Sequence, residues 1–118
     1  MKQSILQEKS LSFAIQIVKF YENYSKTHKD NTLSKQLLRS GTSIGANISE
    51  AMYGNSKADF ISKLHISLKE TGETIYWLTL ITKAELISYE EVKLLLENVQ
   101  EIKRILIASI NTAKNNSK

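Results

Sequence analysis

The sequence predicts an all-α fold: an antiparallel up-down-up-down four-helix bundle that forms a single domain over residues 1–118. Three observations lead to this prediction. Apolar residues recur every three or four positions through four long segments. Proline, which breaks helix interiors, is absent from the whole chain. The segments are separated by short polar stretches, and helices joined by short connections pack antiparallel to each other.

The first half of the chain predicts two helices, at about residues 4–26 and 32–53. In the first, the residues that share the predicted core side are Leu6, Phe13, Ile17, Phe20 and Tyr24. In the second, they are Leu33, Leu37, Ile44, Ile48 and Ala51. The intervening residues, 27–31, are polar and typical of a turn.

The second half predicts two longer helices, at about residues 57–83 and 89–114. The predicted core stripe of the third is Phe60, Leu64, Leu68, Ile75 and Leu78. In the fourth, a heptad seam consists of Val92, Leu95, Val99, Ile102 and Leu106. No segment shows the alternation that a β-strand requires.

Local residue chemistry marks the predicted helix ends. Gly54 and Asn55 tolerate the left-handed conformation that ends many helices, so they predict the end of the second helix. Ser56 predicts the cap of the third helix, because its hydroxyl can accept a bond from an orphan backbone N–H group. Ser88 followed by Glu91 predicts a capping box at the start of the fourth helix.

Two glycines one helical turn apart, Gly41 and Gly45, interrupt the second predicted helix. Each glycine costs a helix about 1 kcal/mol relative to alanine. A pair on one side therefore predicts the close approach of another backbone, from the same bundle or from a second subunit. Packing within the bundle is the simpler of the two interpretations.

A polar stripe runs beside the core side of the second helix. On a helical wheel, Arg39, Ser43, Asn47 and Glu50 fall within about 80° of one another. Glu70 and Glu73 of the third helix are the predicted partners of Arg39, since a carboxylate can pair with a guanidinium. The predicted polar network comprises Arg39, Asn47, Glu50, Glu70 and Glu73. Such a network either sets the helix register or lines a binding groove.

The sequence contains two possible signs of an enzyme, and neither has the structural context that its chemistry requires. Residues 41–45 match the G-x-S-x-G nucleophile motif, but no strand precedes them, so a hydrolase built on Ser43 is not expected. His28 and His65 lack the glutamate three residues earlier that a di-iron bundle needs. We therefore predict no catalytic residues, no metal and no cofactor.

The helices carry more apolar surface than one bundle buries. Further apolar residues lie away from the core stripes, at Leu11, Ile15 and Val18 of the first helix and at Leu94 and Ile105 of the fourth. On the third helix, the predicted interface between protomers is Ile66, Trp77, Leu80 and Ile81. Aligned apolar surface of this kind predicts self-association. The alternative is that helix rotation or crowded packing buries some of these side chains within one chain.

Composition narrows the function. The net charge of +4 and pI near 9.3 suit contact with phosphates, although the chain has no dense run of Lys or Arg. The predicted nucleic-acid contacts are Lys35, Arg39, Lys63, Lys103 and Arg104. No apolar run approaches the roughly 20 residues of a membrane span. Cysteine is absent and the N-terminus lacks a signal-peptide block, so the expected location is the cytoplasm.

Several segments resemble a known bacterial family. Residues 37–51, 56–60 and 68–70, with the set Glu73, Tyr76, Trp77 and Leu78, are similar to small four-helix-bundle proteins. Those proteins were first noticed as reading frames within intervening sequences of large-subunit ribosomal RNA genes. The resemblance implies a ring, typically a homopentamer. Many members have proline or alanine where this chain has Gly45, and glycine where it has Ala51.

The resemblance also implies kinship with the accessory variability protein of diversity-generating retroelements, which works beside a reverse transcriptase and nucleic acid. We therefore expect a non-enzymatic oligomer that associates with RNA or DNA, or that scaffolds a partner handling them, such as a reverse transcriptase. The alternative is a protein–protein adaptor with no nucleic-acid role, in which Ile66 and Trp77 contact a foreign protein.

Overall fold

The computed structural model describes residues 4–116, and four α-helices form almost all of this part of the chain. They are α1 (Ile5–Thr27), α2 (Thr32–Met52), α3 (Lys57–Lys83) and α4 (Tyr89–Asn115). The predicted bounds agree with these to within one residue at each end. The predicted fold class, an antiparallel four-helix bundle, is confirmed.

The four helices pack in a closed cycle. Each contacts its two neighbours in the order α1, α2, α3, α4, and within residues 4–116 no contact crosses the diagonal. The molecule is a rod of 51 × 22 × 21 Å. None of its described helices combines the length and the apolarity needed to cross a membrane. Because the helices form a cycle, the bundle has four outer sides, each made by one pair of neighbours.

The predicted core stripes of α1, α2 and α4 lie in one shared core. All five seam residues of α4 are buried, and only Phe20 of α1 and Leu33 of α2 are partly exposed among the ten predicted in those two helices. Ile110 extends the seam of α4 by a further turn. Apolar side chains at helical spacing therefore located these three buried sides correctly.

The predicted core stripe of α3 is partly wrong. Leu68 and Ile75 lie at the edge of the core, and Phe60 is also only partly buried. The buried positions are instead Leu64, Ser67, Thr71, Thr74, Leu78 and Ile81. Small hydroxyl side chains at the centre of this stripe let α3 approach α2 closely, and their hydroxyls are hydrogen-bonded.

Two hydrogen bonds cross from the hydroxyls of α3 to α2. Ser67 Oγ donates to the backbone carbonyl of Ile44 at 2.9 Å, and Thr74 Oγ1 lies 2.9 Å from Ser40 Oγ. The buried side of α3 is thus rotated about the helix axis from the predicted one, and this difference also corrects the predicted protomer interface. Ile81 is fully buried in the core of a single chain, so it is not available to a second copy.

The glycine pair of α2 lies against α1. A Cβ on Gly41 would come within 2.9 Å of Ile17 Cγ1, and one on Gly45 within 3.3 Å of Ser10 Oγ. The predicted close approach is therefore confirmed, and the neighbour belongs to the same bundle. Gly41 leaves no room for a Cβ, whereas a Cβ at Gly45 would make a tight contact with Ser10. Neither glycine is required by its backbone conformation, since the φ angles of both are outside the left-handed region.

The helix starts follow the predicted chemistry at one of two positions. Ser56 caps α3 by accepting a bond from the Asp59 backbone N–H at 3.1 Å, as predicted. The predicted capping box at α4 is wrong, because Ser88 Oγ donates to the Glu91 carboxylate at 3.1 Å and accepts no bond from a backbone N–H group of the helix. At α1, Ser4 and Gln7 form a reciprocal capping box.

The left-handed residue of the chain is not at Gly54. No glycine within residues 4–116 has a positive φ angle, so the predicted cap of α2 is wrong. Gly54 instead leaves room for Asp59, whose Oδ2 would lie 2.7 Å from a Cβ at that position. Among the described residues, the one with a positive φ angle is Glu85, at 63°, just after α3.

Candidate nucleic-acid interface

A charged cluster connects the outer sides of α2 and α3. Arg39 Nη1 lies 3.4 Å from Glu70 Oε1, and Arg39 Nη2 donates to Glu73 Oε2. Trp77 Nε1 donates to the same Glu73 oxygen at 3.0 Å. The structure thus brings Arg39 together with both of its predicted partners and adds the indole of Trp77.

Each charge in this cluster stabilises its neighbour. The indole N–H of Trp77 and then the Arg39 guanidinium lower the pKa of Glu73 below its ordinary value. The Glu73 carboxylate in turn raises the pKa of Arg39. Because two carboxylates already face Arg39, its positive charge is largely offset. Arg39 is therefore a structural cation, and a poor one for attracting phosphate.

The rest of the predicted polar network is separate from this cluster. Glu50 pairs with Lys63 of α3 at 2.9 Å, and this bond raises the pKa of Lys63. Asn47 Nδ2 donates to the Ser43 carbonyl of its own helix at 2.9 Å. Three turns of helix separate Glu50 from Arg39, about 16 Å. The predicted network is thus two ion-pair clusters and one local hydrogen bond.

The five predicted nucleic-acid contacts do not form one surface. Lys35 is exposed on the outer side of α2, while Arg39 and Lys63 are held in ion pairs between α2 and α3. Lys35 lies one turn from Arg39 on α2, and Lys103 and Arg104 are consecutive residues of α4. The predicted set therefore spans more than one side of the bundle, and the packing of the helices indicates which unpaired cations lie together.

Contacts between side chains establish which flanks of α3 and α4 face each other. The flank of α3 that carries Glu70 and Glu73 contacts α2. The flank of α4 that carries Asn98 and Glu101 contacts α1, through the Asn98–Gln16 bond at 2.9 Å and the Lys9–Glu101 pair at 3.3 Å. The opposite flanks therefore adjoin each other and form the outer α3–α4 side.

This outer side is strongly basic. We call this side, together with the adjoining outward surface of α3, the basic face. At the helical periodicity of 100° per residue its cations are Lys69, Lys83, Lys93, Lys103, Arg104 and Lys114. Within residues 4–116 none of the six lies in an ion pair. The nearest carboxylates by helical position are Glu97, four residues after Lys93, and Glu73, four residues after Lys69 but already bonded to Arg39 and Trp77. Unpaired cations therefore outnumber carboxylates on this side of the bundle.

Part of this face has a signal in the sequence. Lys69 and Lys83 are two heptads apart, so they share one side of α3. After Glu101 the chain contains no Asp or Glu, although it contains Lys103, Arg104 and Lys114. Which flank of α3 adjoins which flank of α4 depends on the rotation of α3, and that rotation was not predicted correctly.

An aromatic side chain lies among these cations. Tyr76 is 59% exposed and lies midway between Lys69 and Lys83, one heptad from each. Its ring packs edge-on against Trp77, with the ring centroids 5.2 Å apart and the planes at 72°. Because Trp77 is itself bonded to Glu73, the Arg39 cluster holds this aromatic pair in place.

Apolar surface remains on other sides of the bundle. On α3, Ile66 is exposed, and Trp77 and Leu80 are partly exposed, so three of the four predicted interface residues are accessible. On α1, the exposed row Leu11, Ile15 and Val18 lies beside a groove between α1 and α2. This groove of about 330 Å³ is lined by Gln7, Ser10, Leu11, Ala14, Thr42, Gly45, Ala46 and Ser49.

The motif at residues 41–45 is ordinary helix. Ser43 lies inside α2, and its Oγ donates to the Arg39 backbone carbonyl at 2.7 Å. A nucleophile elbow requires a strained strand-to-helix turn that exposes the serine. In the described part of the chain, no three His, Cys, Asp or Glu side chains lie close enough together to hold a metal ion.

These features define a class: a small antiparallel four-helix bundle that carries its charged and aromatic groups on its outer sides. The chain belongs to the family of 23S rRNA-intervening sequence proteins, whose model matches residues 2–108. The resemblance expected from the sequence is therefore confirmed at the level of the family.

A solved structure supports the same assignment. The chain is 47% identical to a protein of unknown function from the S23 ribosomal protein family of Bacteroides thetaiotaomicron VPI-5482, whose crystal structure was determined at 1.70 Å. The two folds agree with a TM-score of 0.87, and the match covers 90% of this chain and 98% of the other. None of the curated proteins matches this chain.

Proposed function

We propose that this protein is a non-enzymatic, self-associating helical bundle that binds nucleic acid in the cytoplasm through its basic face. It acts alone or beside an enzyme that handles nucleic acid, such as a reverse transcriptase. The observation that carries the proposal is the set of six cations on the basic face, none of which is paired with a carboxylate in residues 4–116.

The mechanism is electrostatic. Lys and Arg side chains that neutralise phosphates release condensed counterions, which favours binding. Along α4 the cations from Lys93 to Lys114 span about 31 Å at 1.5 Å per residue, so one bundle presents a long track to the phosphate backbone. This readout depends on backbone charge, and it contributes affinity without base specificity.

Self-association multiplies this affinity. The exposed apolar rows on α1 and α3 exceed the scattered apolar residues of an ordinary monomer surface. Contacts between copies would bury them and repeat the basic face several times on one particle. Several weak phosphate contacts then act together, because each bound copy raises the effective concentration of the next.

A binding titration tests the proposal. The basic-face variant carries Lys69→Gln, Lys93→Gln and Arg104→Gln, and the control variant carries Lys19→Gln, Lys26→Gln and Lys35→Gln on α1 and α2. All six residues are exposed and both variants lose the same charge. At about 100 mM salt, labelled RNA should bind the basic-face variant at least about tenfold more weakly than the wild type.

The control variant should bind nearly as tightly as the wild type. Equal losses in the two variants would mean that net charge alone matters, and the basic face would not be the site. Failure of the wild type to bind RNA or DNA even at low salt would contradict the proposed function as a whole.

The second candidate function is a protein–protein adaptor. It is favoured by the α1–α2 side, where Leu11, Ile15 and Val18 lie exposed beside the groove. An apolar ridge next to a groove suits a partner helix. This function predicts no binding of nucleic acid at low salt, together with loss of a protein partner in Leu11→Lys. The same titration therefore separates the two functions.

A further inference from the structure

We infer that the nucleic acid bound by the basic face is single-stranded, and that Tyr76 stacks on one of its bases while Lys69 and Lys83 contact phosphates on either side. This inference rests on the proposed function and specifies its ligand. It assigns a contact to an aromatic side chain that lies outside the core of the bundle.

The position of Tyr76 is the first argument. Lys69, Tyr76 and Lys83 follow one another at heptad spacing, so they form a row along the outside of α3, with about 10 Å between successive residues. Single-strand sites combine a positive track for the backbone with an aromatic ring on which a base stacks. The row has both parts, since Tyr76 is exposed and the neighbouring lysines are unpaired.

The second argument is that the ring is held in place. Tyr76 packs edge-on against Trp77, Trp77 Nε1 donates to Glu73 at 3.0 Å, and Glu73 accepts from Arg39. A ring fixed in this way loses little freedom when a base stacks on it. The Arg39 cluster thus acts through Trp77 to position Tyr76, which gives its charged groups a role beyond helix register.

The third argument selects the single strand over the duplex. Within a duplex, neighbouring base pairs cover the faces of each base, so an aromatic side chain can stack only on a base that is unpaired or at an end. Lysines contact the phosphates of either form. Tyr76 is therefore the group whose removal separates single-strand binding from duplex binding.

The test uses an RNA strand of about 20 nucleotides, longer than the single-strand site of one small domain, alone and paired with its complement. Tyr76→Leu should weaken single-strand binding about tenfold and leave duplex binding unchanged. Tyr76→Phe keeps the ring and should bind like the wild type. The matched control is Tyr53→Leu, because Tyr53 is 82% exposed at the end of α2 and lies off the basic face.

Trp77 supplies an independent signal, since it is the only tryptophan of the chain. Its emission should change when the single strand binds and stay constant with the duplex. Thermal melting and sedimentation of each variant accompany the binding curves. Tyr76→Phe keeps the inference testable if Tyr76→Leu folds poorly.

Three outcomes would overturn the inference. They are unchanged single-strand binding in Tyr76→Leu, equal weakening of single-strand and duplex binding, and a changed oligomeric state that places Tyr76 between copies. Each leaves the proposed function standing if the basic-face variant still loses binding. Absence of any binding by the wild type would instead remove both.

Discussion

At the scale of single residues, the effect of a glycine or a charged side chain on stability depends on the atoms around it. A Cβ on Gly41 would lie 2.9 Å from Ile17 Cγ1, whereas a Cβ on Gly72 of α3 would have no neighbouring atom within 4 Å. The two glycines have the same low helix propensity. They therefore form a matched pair in which only the packing differs.

Gly41→Ala should destabilise the protein by about 1 kcal/mol. The added methyl gains about 1 kcal/mol of helix propensity but forces a strained contact with Ile17 that costs more. Gly72→Ala should instead stabilise the protein by about 1 kcal/mol, because it meets nothing. Urea denaturation measures both. Stabilisation by Gly41→Ala would show that α1 does not press on α2 at this point.

Glu73 gives the stability of the bundle a dependence on pH. Its pKa is lower in the folded protein than the ordinary value of about 4.3, because Trp77 and Arg39 stabilise the carboxylate. The folded state therefore gains stability from Glu73 above about pH 4. It loses that stability as the pH falls through the lowered pKa of the folded state.

We expect Glu73→Gln to cost about 1 kcal/mol or less at pH 7, since the pair is partly exposed to water. The difference from the wild type should be nearly the same at pH 5 as at pH 7 and should shrink when unfolding is measured at about pH 3. A difference that stays constant down to pH 3 would mean that the charge of Glu73 contributes nothing to the fold.

At the residue scale, the sequence identified pairs but not surfaces. The partners of Arg39 were predictable because a wheel places Arg39, Glu70 and Glu73 at facing positions of adjacent helices. The indole bond of Trp77 had no signal, since an aromatic at an outer position is equally consistent with a protein interface. Lys63 was assigned to a ligand although the structure gives it to Glu50.

At the scale of helices, apolar residues located three of the four buried sides. The exception, α3, buries Ser67, Thr71 and Thr74 at the centre of its stripe. Hydroxyl residues carry little hydrophobic signal, so the more apolar Leu68 and Ile75 marked a stripe that is rotated from the true one. The basic face depends on that rotation, which is why it was found only in the structure.

At the end of α3, Glu85 has a left-handed backbone conformation that a glycine would adopt without strain. The N–H of Leu86 donates to the Ile81 carbonyl at 3.1 Å, and that of Glu85 to the Thr82 carbonyl at 3.0 Å. This is a Schellman motif, in which glycine ordinarily occupies the left-handed position held here by Glu85. The sequence gives no sign of it, because glutamate does not favour a positive φ angle.

Glu85→Gly should therefore stabilise the protein. Relief of the left-handed strain is worth about 1 kcal/mol, reduced by the greater freedom of glycine in the unfolded chain. The melting temperature should rise by a few degrees in a domain of this size. Glu85→Ala serves as the control, since it removes the charge and keeps the strain. A lower melting temperature in Glu85→Gly would contradict the motif.

At the scale of the whole molecule, the exposed apolar rows predict assembly. At micromolar concentration the wild type should sediment as a particle larger than one 13.4 kDa chain. Ile66→Lys should shift it toward the monomer, because a charge would then lie within the predicted interface. If Leu11→Lys has that effect instead, the interface lies on the α1–α2 side. A wild type that sediments at 13.4 kDa would end the argument for assembly.

The four outer sides of the bundle differ in how their charged and apolar residues are arranged. The α2–α3 side pairs its charges, and the α1–α4 side has the Lys9–Glu101 pair. The α1–α2 side carries the exposed apolar row of α1, and the basic face keeps six cations unpaired. Membership of the 23S rRNA-intervening sequence family fixes the fold without fixing a ligand. The ligand has to be inferred from the distribution of charge.

The salt dependence of binding tests this distribution most directly. We would measure the logarithm of the association constant for a single RNA strand against the logarithm of salt concentration, for the wild type and the basic-face variant. Each lost phosphate contact lowers the slope by about 0.7, so three should lower it by about 2 for each bound copy. Parallel lines for the two proteins would contradict the claim that Lys69, Lys93 and Arg104 meet phosphates.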